Sequence, residues 1–158
     1  MVSTPSLPQD FVELLTEFAG ASVLYLVIGG YAVGFHDRPR ATKDIDLLLA
    51  DTPENIARTC RALSTFGAPA NIVAALEGAA FDDIVWFGTP PGRVDLLKSA
   101  AGVDFDRAYE RHDRMTIDGG LVVPVVGIED LIAMKRAADR KQDRVDVERL
   151  ARVLQRRK

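Results

Sequence analysis

The sequence predicts an α/β (α+β) fold, a mixed central β-sheet flanked by helices, on three observations. Short apolar runs of strand character, residues 23–28, 42–50, 83–88 and 93–98, sit in the middle of the chain between segments of helical periodicity. No internal repeat, low-complexity tract or linker interrupts them. At 158 residues, 47% hydrophobic and 27% charged, the chain fits one domain, residues 1–158, with one sizeable core.

The elements follow in order. Residues 1–7 read as a loose arm. Pro8 suits the first turn of a helix to about Ala19, with Phe11, Leu14, Leu15 and Phe18 on one face and Gly20 at its end. A buried strand over 23–28 meets Gly29-Gly30, which turn it into a short helix over 31–36. Pro39 and its neighbours make 37–41 a loop before the strand at 42–50. Asp51-Thr52-Pro53-Glu54 starts a helix to about Phe66, with a capping residue, a first-turn proline and an acid. The small residues of 67–80 read as a loop with one helical turn. Strands at 83–88 and 93–98 flank the tight connection Pro90-Pro91-Gly92. A helix over 105–111, a hairpin of 115–117 and 121–125 around Asp118-Gly119-Gly120, and helices over 129–138 and 142–156 complete the chain.

Composition narrows the class. The net charge is −3 and the pI about 5.4, so the molecule as a whole does not attract nucleic acid. The single cysteine, Cys60, excludes an internal disulfide and reads as an apolar filler on a helix in a reducing compartment. The first ten residues lack a secretory pattern, and the longest apolar run, 23–28, is too short for a bilayer, which predicts a cytoplasmic protein without membrane contact.

Asp44 and Asp46, one residue apart at a strand start, point to the same side. Adjacent carboxylates repel and raise at least one pKa unless a cation lies between them. Asp95 stands alone in the apolar strand Arg93-Val94-Asp95-Leu96-Leu97, where a carboxylate is costly without a partner. If their strands are neighbours, Asp44, Asp46 and Asp95 converge on two Mg²⁺ ions and can support two-metal phosphoryl transfer. Gly29 and Gly30 lack Cβ atoms, so a phosphate can approach the backbone at a helix N-terminus. Taken alone, a glycine pair is most often a plain turn and an Asp-x-Asp often an exposed strand edge. No Gly-Lys-Ser/Thr after a glycine loop, no Gly-x-Ser-x-Gly and no Cys/His metal spacing offers a competing chemistry.

In this order the motifs resemble the nucleotidyltransferase (DNA polymerase β-like) superfamily. The nearest likeness is to the AbiEii-type toxin nucleotidyltransferases and small uncharacterised relatives. Arg40-Ala41-Thr42-Lys43-Asp44-Ile45-Asp46 resembles that branch's Arg-x-Thr-x-Asp-x-Asp. Asp130-Leu131-Ile132-Ala133-Met134-Lys135, with Arg140, Asp143 and Asp146, resembles its C-terminal motif. The likeness covers most of 23–154 and implies the nucleotidyltransferase fold. It implies Mg²⁺ at Asp44 and Asp46, with Asp95 as third ligand and activator of the incoming hydroxyl. It implies triphosphate contact at Gly29 and Gly30 and a phosphate-facing role for Lys135.

Other residues carry two readings. Lys135 either faces phosphate or snorkels from its helix. Arg40 is either a surface arginine or one that holds the loop and touches phosphate. Thr42 is foremost a strand former, and joins Arg40 as a candidate nucleotide-binding residue by its place in the motif. His36 and His112 read as structural or solvent-facing, and Phe81 and Trp86 as core, with stacking on a base as the other reading for an aromatic near the site. From Lys135 to Lys158 there are ten Lys/Arg against four Asp/Glu, a local charge of +6. That segment is either a solvated amphipathic helix with Val145, Leu150, Val153 and Leu154 inward, or an electrostatic path for an RNA end or a phosphorylated substrate beside the metal site.

The expected activity is Mg²⁺-dependent transfer of a nucleoside monophosphate from a nucleoside triphosphate (NTP) to an acceptor hydroxyl. The resemblance suggests a tRNA acceptor and a toxin held by an antitoxin protein. The alternatives are a non-catalytic nucleotide-binding or interaction module of the same fold, and an enzyme modifying an antibiotic hydroxyl.

Overall fold

A computed structural model describes residues 7–158. The predicted arm lies outside the described residues except for Leu7, which is buried in the core. Helix α1 (Gln9–Gly20) leads to β1 (Tyr25–Ile28), α2 (Gly29–His36), β2 (Asp44–Leu49) and α3 (Pro53–Phe66). Next come α4 (Ala70–Gly78), β3 (Ile84–Phe87), β4 (Arg93–Leu97) and α5 (Phe105–Glu110). The hairpin of β5 (Asp113–Thr116) and β6 (Val122–Val125) precedes α6 (Ile128–Ala138) and α7 (Lys141–Arg157).

The six strands form one mixed sheet in the order β3-β4-β2-β1-β6-β5. β2 runs parallel to β4 and β1 to β6, while the β1–β2, β3–β4 and β5–β6 pairs are antiparallel. The central strands β1 and β2 supply Leu26, Val27, Leu47, Leu48 and Leu49, all buried, which is why the run at 47–49 shows no alternation. Phe11, Leu14, Leu15 and Phe18 bury the inner stripe of α1.

Asn55 ties the start of β1 and the end of β2 to α3. Its amide nitrogen donates to the carbonyls of Leu24 and Ala50, both at 2.9 Å, and its oxygen accepts from Leu24 N–H at 2.7 Å. The N-cap of α3 is Thr52, whose hydroxyl accepts from Asn55 N–H. The segment read as a loop with one turn is instead largely the nine-residue helix α4. Gly67 ends α3 in the left-handed region (φ 100°), and Pro69 sits immediately before α4, so two breakers bracket a helix the small residues obscured.

Candidate active site

Strand register builds the site. Ile28 of β1 faces Asp46 of β2, and Asp46 faces Asp95 of β4. Partners at equal height on neighbouring strands share a side, so Asp95 joins Asp44 and Asp46 on one face. Carboxylate oxygens of the three lie within 4.8 Å of one another.

The electrostatics match this crowding. Burial, and then the proximity of Asp95, raises the pKa of Asp44. Burial, and then Asp95 and Asp44, pushes Asp46 up to about 7, while the Lys135 ammonium pulls the other way. Asp95 is held on its outer side by Arg93, whose Nε donates to its Oδ1 at 2.9 Å. The Arg93 guanidinium in turn lies 4.3 Å from the ring centre of Trp86.

The glycine turn closes the other side. Gly29 has φ +69°, a conformation that favours glycine, and a Cβ there would run into the Asp46 carboxylate. A Cβ on Gly30 would lie 2.7 Å from Thr42 Cγ2. No side chain caps α2, which leaves its first backbone N–H groups without a side-chain acceptor next to the acids.

A second charge cluster braces the site from α6 and α7. Lys135 Nζ sits 3.2 Å from Asp143 Oδ1 and 3.2 Å from Asp146 Oδ2. Arg40 grips Asp146 through both terminal nitrogens, at 2.8 and 3.2 Å, and Arg140 Nε bonds Asp143 at 2.7 Å. Burial works to raise both acids, but the hydrogen bonds from Arg140 and Lys135 on Asp143, and from Arg40, Gln142 and Lys135 on Asp146, hold their carboxyls below the ordinary value.

Around these groups opens a cleft of about 1110 Å³. It is lined by all eight residues singled out from the sequence: Gly29, Gly30, Arg40, Thr42, Asp44, Asp46, Asp95 and Lys135. Thr42 Oγ1 is buried with no hydrogen-bond partner among the described residues. Ile84, Leu97, Ala100, Leu131 and Met134 supply an apolar wall.

Four readings change. Trp86 and Phe81 are not core: they are 52% and 58% exposed, because β3 is the sheet edge. Val145 is 46% exposed, while Asp143, Asp146, Leu150 and Val153 form the inner stripe of α7. Asp143 and Asp146 are each 1% exposed, so the acids of a seemingly solvated helix are buried counter-ions. The basic segment does not line the cleft beyond Lys135 and Arg140, both paired with Asp143. Of the others, Arg144 bonds Asp139 and Arg149 bonds Asp37. His36 is buried away from the cleft, its Nε2 2.7 Å from the Val126 carbonyl oxygen, and burial lowers its pKa.

A set of hard carboxylate oxygens whose mutual repulsion lacks a full counter-charge suits a divalent ion such as Mg²⁺. A glycine turn that no Cβ could enter suits a phosphate beside it. The mixed sheet with its flanking helices is the nucleotidyltransferase fold. Residues 7–155 match the family DUF6036, nucleotidyltransferase of unknown function, and the chain belongs to that family. Two solved structures share the fold at 13% identity. One is the lincosamide antibiotic adenylyltransferase LnuA, lincomycin-bound, with TM-score 0.60 over 94% of this chain and 98% of that one. The other is ANT(2")-Ia in complex with adenylyl-2"-tobramycin, with TM-score 0.58 over 92% of this chain and 89% of that one. No curated protein sequence matches the chain.

Proposed function

We propose that this nucleotidyltransferase is a single catalytic domain that moves a nucleoside monophosphate from an NTP onto an acceptor hydroxyl and releases pyrophosphate. The observation that carries the reading is the meeting of Asp44, Asp46 and Asp95 within 4.8 Å beside the Gly29-Gly30 turn. Asp44, Asp46 and Asp95 would hold divalent ions, two Mg²⁺ in this reading, and that charge would neutralise the attacking and leaving oxygens.

Asp44 and Asp46 would hold the ions on the donor side, and Asp95 would complete the set and accept the proton of the acceptor hydroxyl. The new bond joins the acceptor oxygen to the α-phosphorus, and the bond from that phosphorus to the pyrophosphate oxygen breaks. Backbone N–H groups at Gly29 and Gly30 hold the departing phosphates. Lys135 and Arg40, fixed by Asp143 and Asp146, add positive charge without needing to reorganise.

A cytoplasmic setting supplies NTP and Mg²⁺, and no helix of the described residues is long and apolar enough to cross a membrane. The RNA acceptor and antitoxin partner suggested by the motif likeness gain no support from the basic segment, whose cleft-lining cations are internally paired. The lincomycin and adenylyl-tobramycin bound by the two solved neighbours favour a small acceptor.

Asp46→Asn tests the assignment. It removes one donor oxygen charge, and transfer of label from NTP is expected to fall about 10²-fold or more with the fold intact. Transfer at the wild-type rate would end it, and triphosphate binding by the wild type without any transfer would move the chain to the binding-module reading.

A further inference from the structure

We infer that the edge of the sheet beside Asp95 is the acceptor subsite: an apolar shelf of Ile84, Leu97 and Trp86 that takes a small, phosphate-free molecule presenting a hydroxyl beside an apolar ring face. This rests on the transferase reading above and deepens it.

Strand order gives the direction. Along β1-β2-β4-β3 the chain places Gly29, then Asp46, then Asp95, then Trp86. Three strand spacings of ~4.8 Å make this line about 14 Å long. In a displacement at phosphorus the attacking and leaving oxygens lie on opposite sides of the phosphorus. With the departing phosphates at the glycine turn over β1, the attacking hydroxyl comes from the β4–β3 side.

What lies there is apolar and open. Ile84 pairs with Leu97 and Trp86 with Asp95 in the β3–β4 register. Ile84 and Leu97 line the cleft, and Ile84 is 56% exposed. Trp86 is outside the lining residues but follows on the same face by its register with Asp95, its ring under the Arg93 guanidinium. Large apolar side chains exposed together on one side of a reactive group mark a binding surface. At about 1110 Å³ the cleft exceeds the ~300–1,000 Å³ of a single drug-sized ligand and has room for donor and acceptor together.

Charge selects against a polyanion. Asp82 lines this end of the cleft and Asp83 adjoins it, while the Arg93 guanidinium is already bonded to Asp95. Ile84, Leu97 and Trp86 bring no cation to the shelf, and the exposed Lys43 that lines the cleft stands next to Asp44 at the start of β2. An uncharged or cationic molecule with an apolar ring fits, and an RNA end does not.

The test uses the full chain, labelled NTPs, Mg²⁺ and a cell extract split by ultrafiltration into small molecules and macromolecules. A non-hydrolysable triphosphate measures donor affinity by calorimetry, and circular dichroism checks folding. Label is expected in a small-molecule product, with Ile84→Asp and Trp86→Ala each lowering transfer about tenfold or more at limiting extract. Donor affinity is expected to hold in both variants, and Trp86→Phe to restore most of the transfer. Wild-type transfer rates in folded Ile84→Asp and Trp86→Ala would overturn the shelf alone. So would nuclease-sensitive label, or loss of triphosphate affinity in Trp86→Ala, which would assign the indole to the donor base. No transfer by the wild type into either fraction would overturn the transferase reading and the shelf with it.

Discussion

Asp46 is protonated more readily in the folded chain than in an unfolded one, its pKa raised from 3.8 to about 7 chiefly by burial. A raised carboxyl pKa contributes stability that is complete below about pH 4 and is lost as pH rises through about 7. Without divalent ions, the melting temperature of the wild type is therefore expected to slope downward across that window. Asp46→Asn removes this part of the slope, so the variant gains most above pH 7 and nothing below pH 4. Each kcal/mol recovered moves the midpoint by about 2–4 °C in a chain of this size. Thermal scans of both proteins in chelator from pH 4 to 9 check the sign. Lys135 is the opposite kind of residue, a buried cation serving two buried acids. Lys135→Met is expected to cost about 3 kcal/mol in urea unfolding, because it strips one partner from an assembled buried network. Adding Asp143→Asn recovers part of that stability. Triphosphate affinity stays low in the double variant if the ammonium also serves phosphate, and returns if its role is structural.

At the scale of elements, the tie of β1 and β2 to α3 depends on one amide. Asn55→Ala removes three hydrogen bonds and strips the buried Ala50 carbonyl of its side-chain donor, while the Leu24 carbonyl keeps the Ala50 N–H, which is expected to cost about 2–3 kcal/mol in equilibrium unfolding. The strand–glycine–helix unit and the acidic strands were legible in the sequence because each is local: an apolar run, a breaker pair, an i, i+2 spacing. What was not legible depends on partners far along the chain. Arg40 and Asp146 are 106 residues apart, and nothing in the periodicity of α7 shows that its inner stripe starts with two acids rather than with Val145. The exposure of Trp86 depends on β3 being an edge strand, which is a property of the sheet and not of the segment Ile84–Phe87. Small residues hid α4, because its nine residues carry only one buried side chain, Leu76, to set a helical period.

On the scale of the whole molecule, charge is divided along α2 and α7. The N-terminal ends of both helices meet the cleft, at Gly29-Gly30 and at Gln142-Asp143. At the far end of α2, Asp37 accepts from Arg149 in the middle of α7, and Arg157, the last residue of α7, lies 3.5 Å from His36. With a rise of 1.5 Å per residue, Arg156 is about 20 Å along α7 from Asp143, so the basic surplus of the chain's end is remote from the reacting groups. The acids of the cleft thus stand among Lys135, Arg40 and Arg140, which buried counter-ions fix, and the exposed Lys43, an arrangement suited to an anionic donor carrying its own divalent ions. The most direct test is an anomalous difference map from crystals grown with Mn²⁺ and a non-hydrolysable triphosphate. Metal peaks bridging the carboxylates of Asp44, Asp46 and Asp95, with the triphosphate against Gly29 and Gly30, are the expected result. Triphosphate bound with its metal away from those three acids would contradict the account.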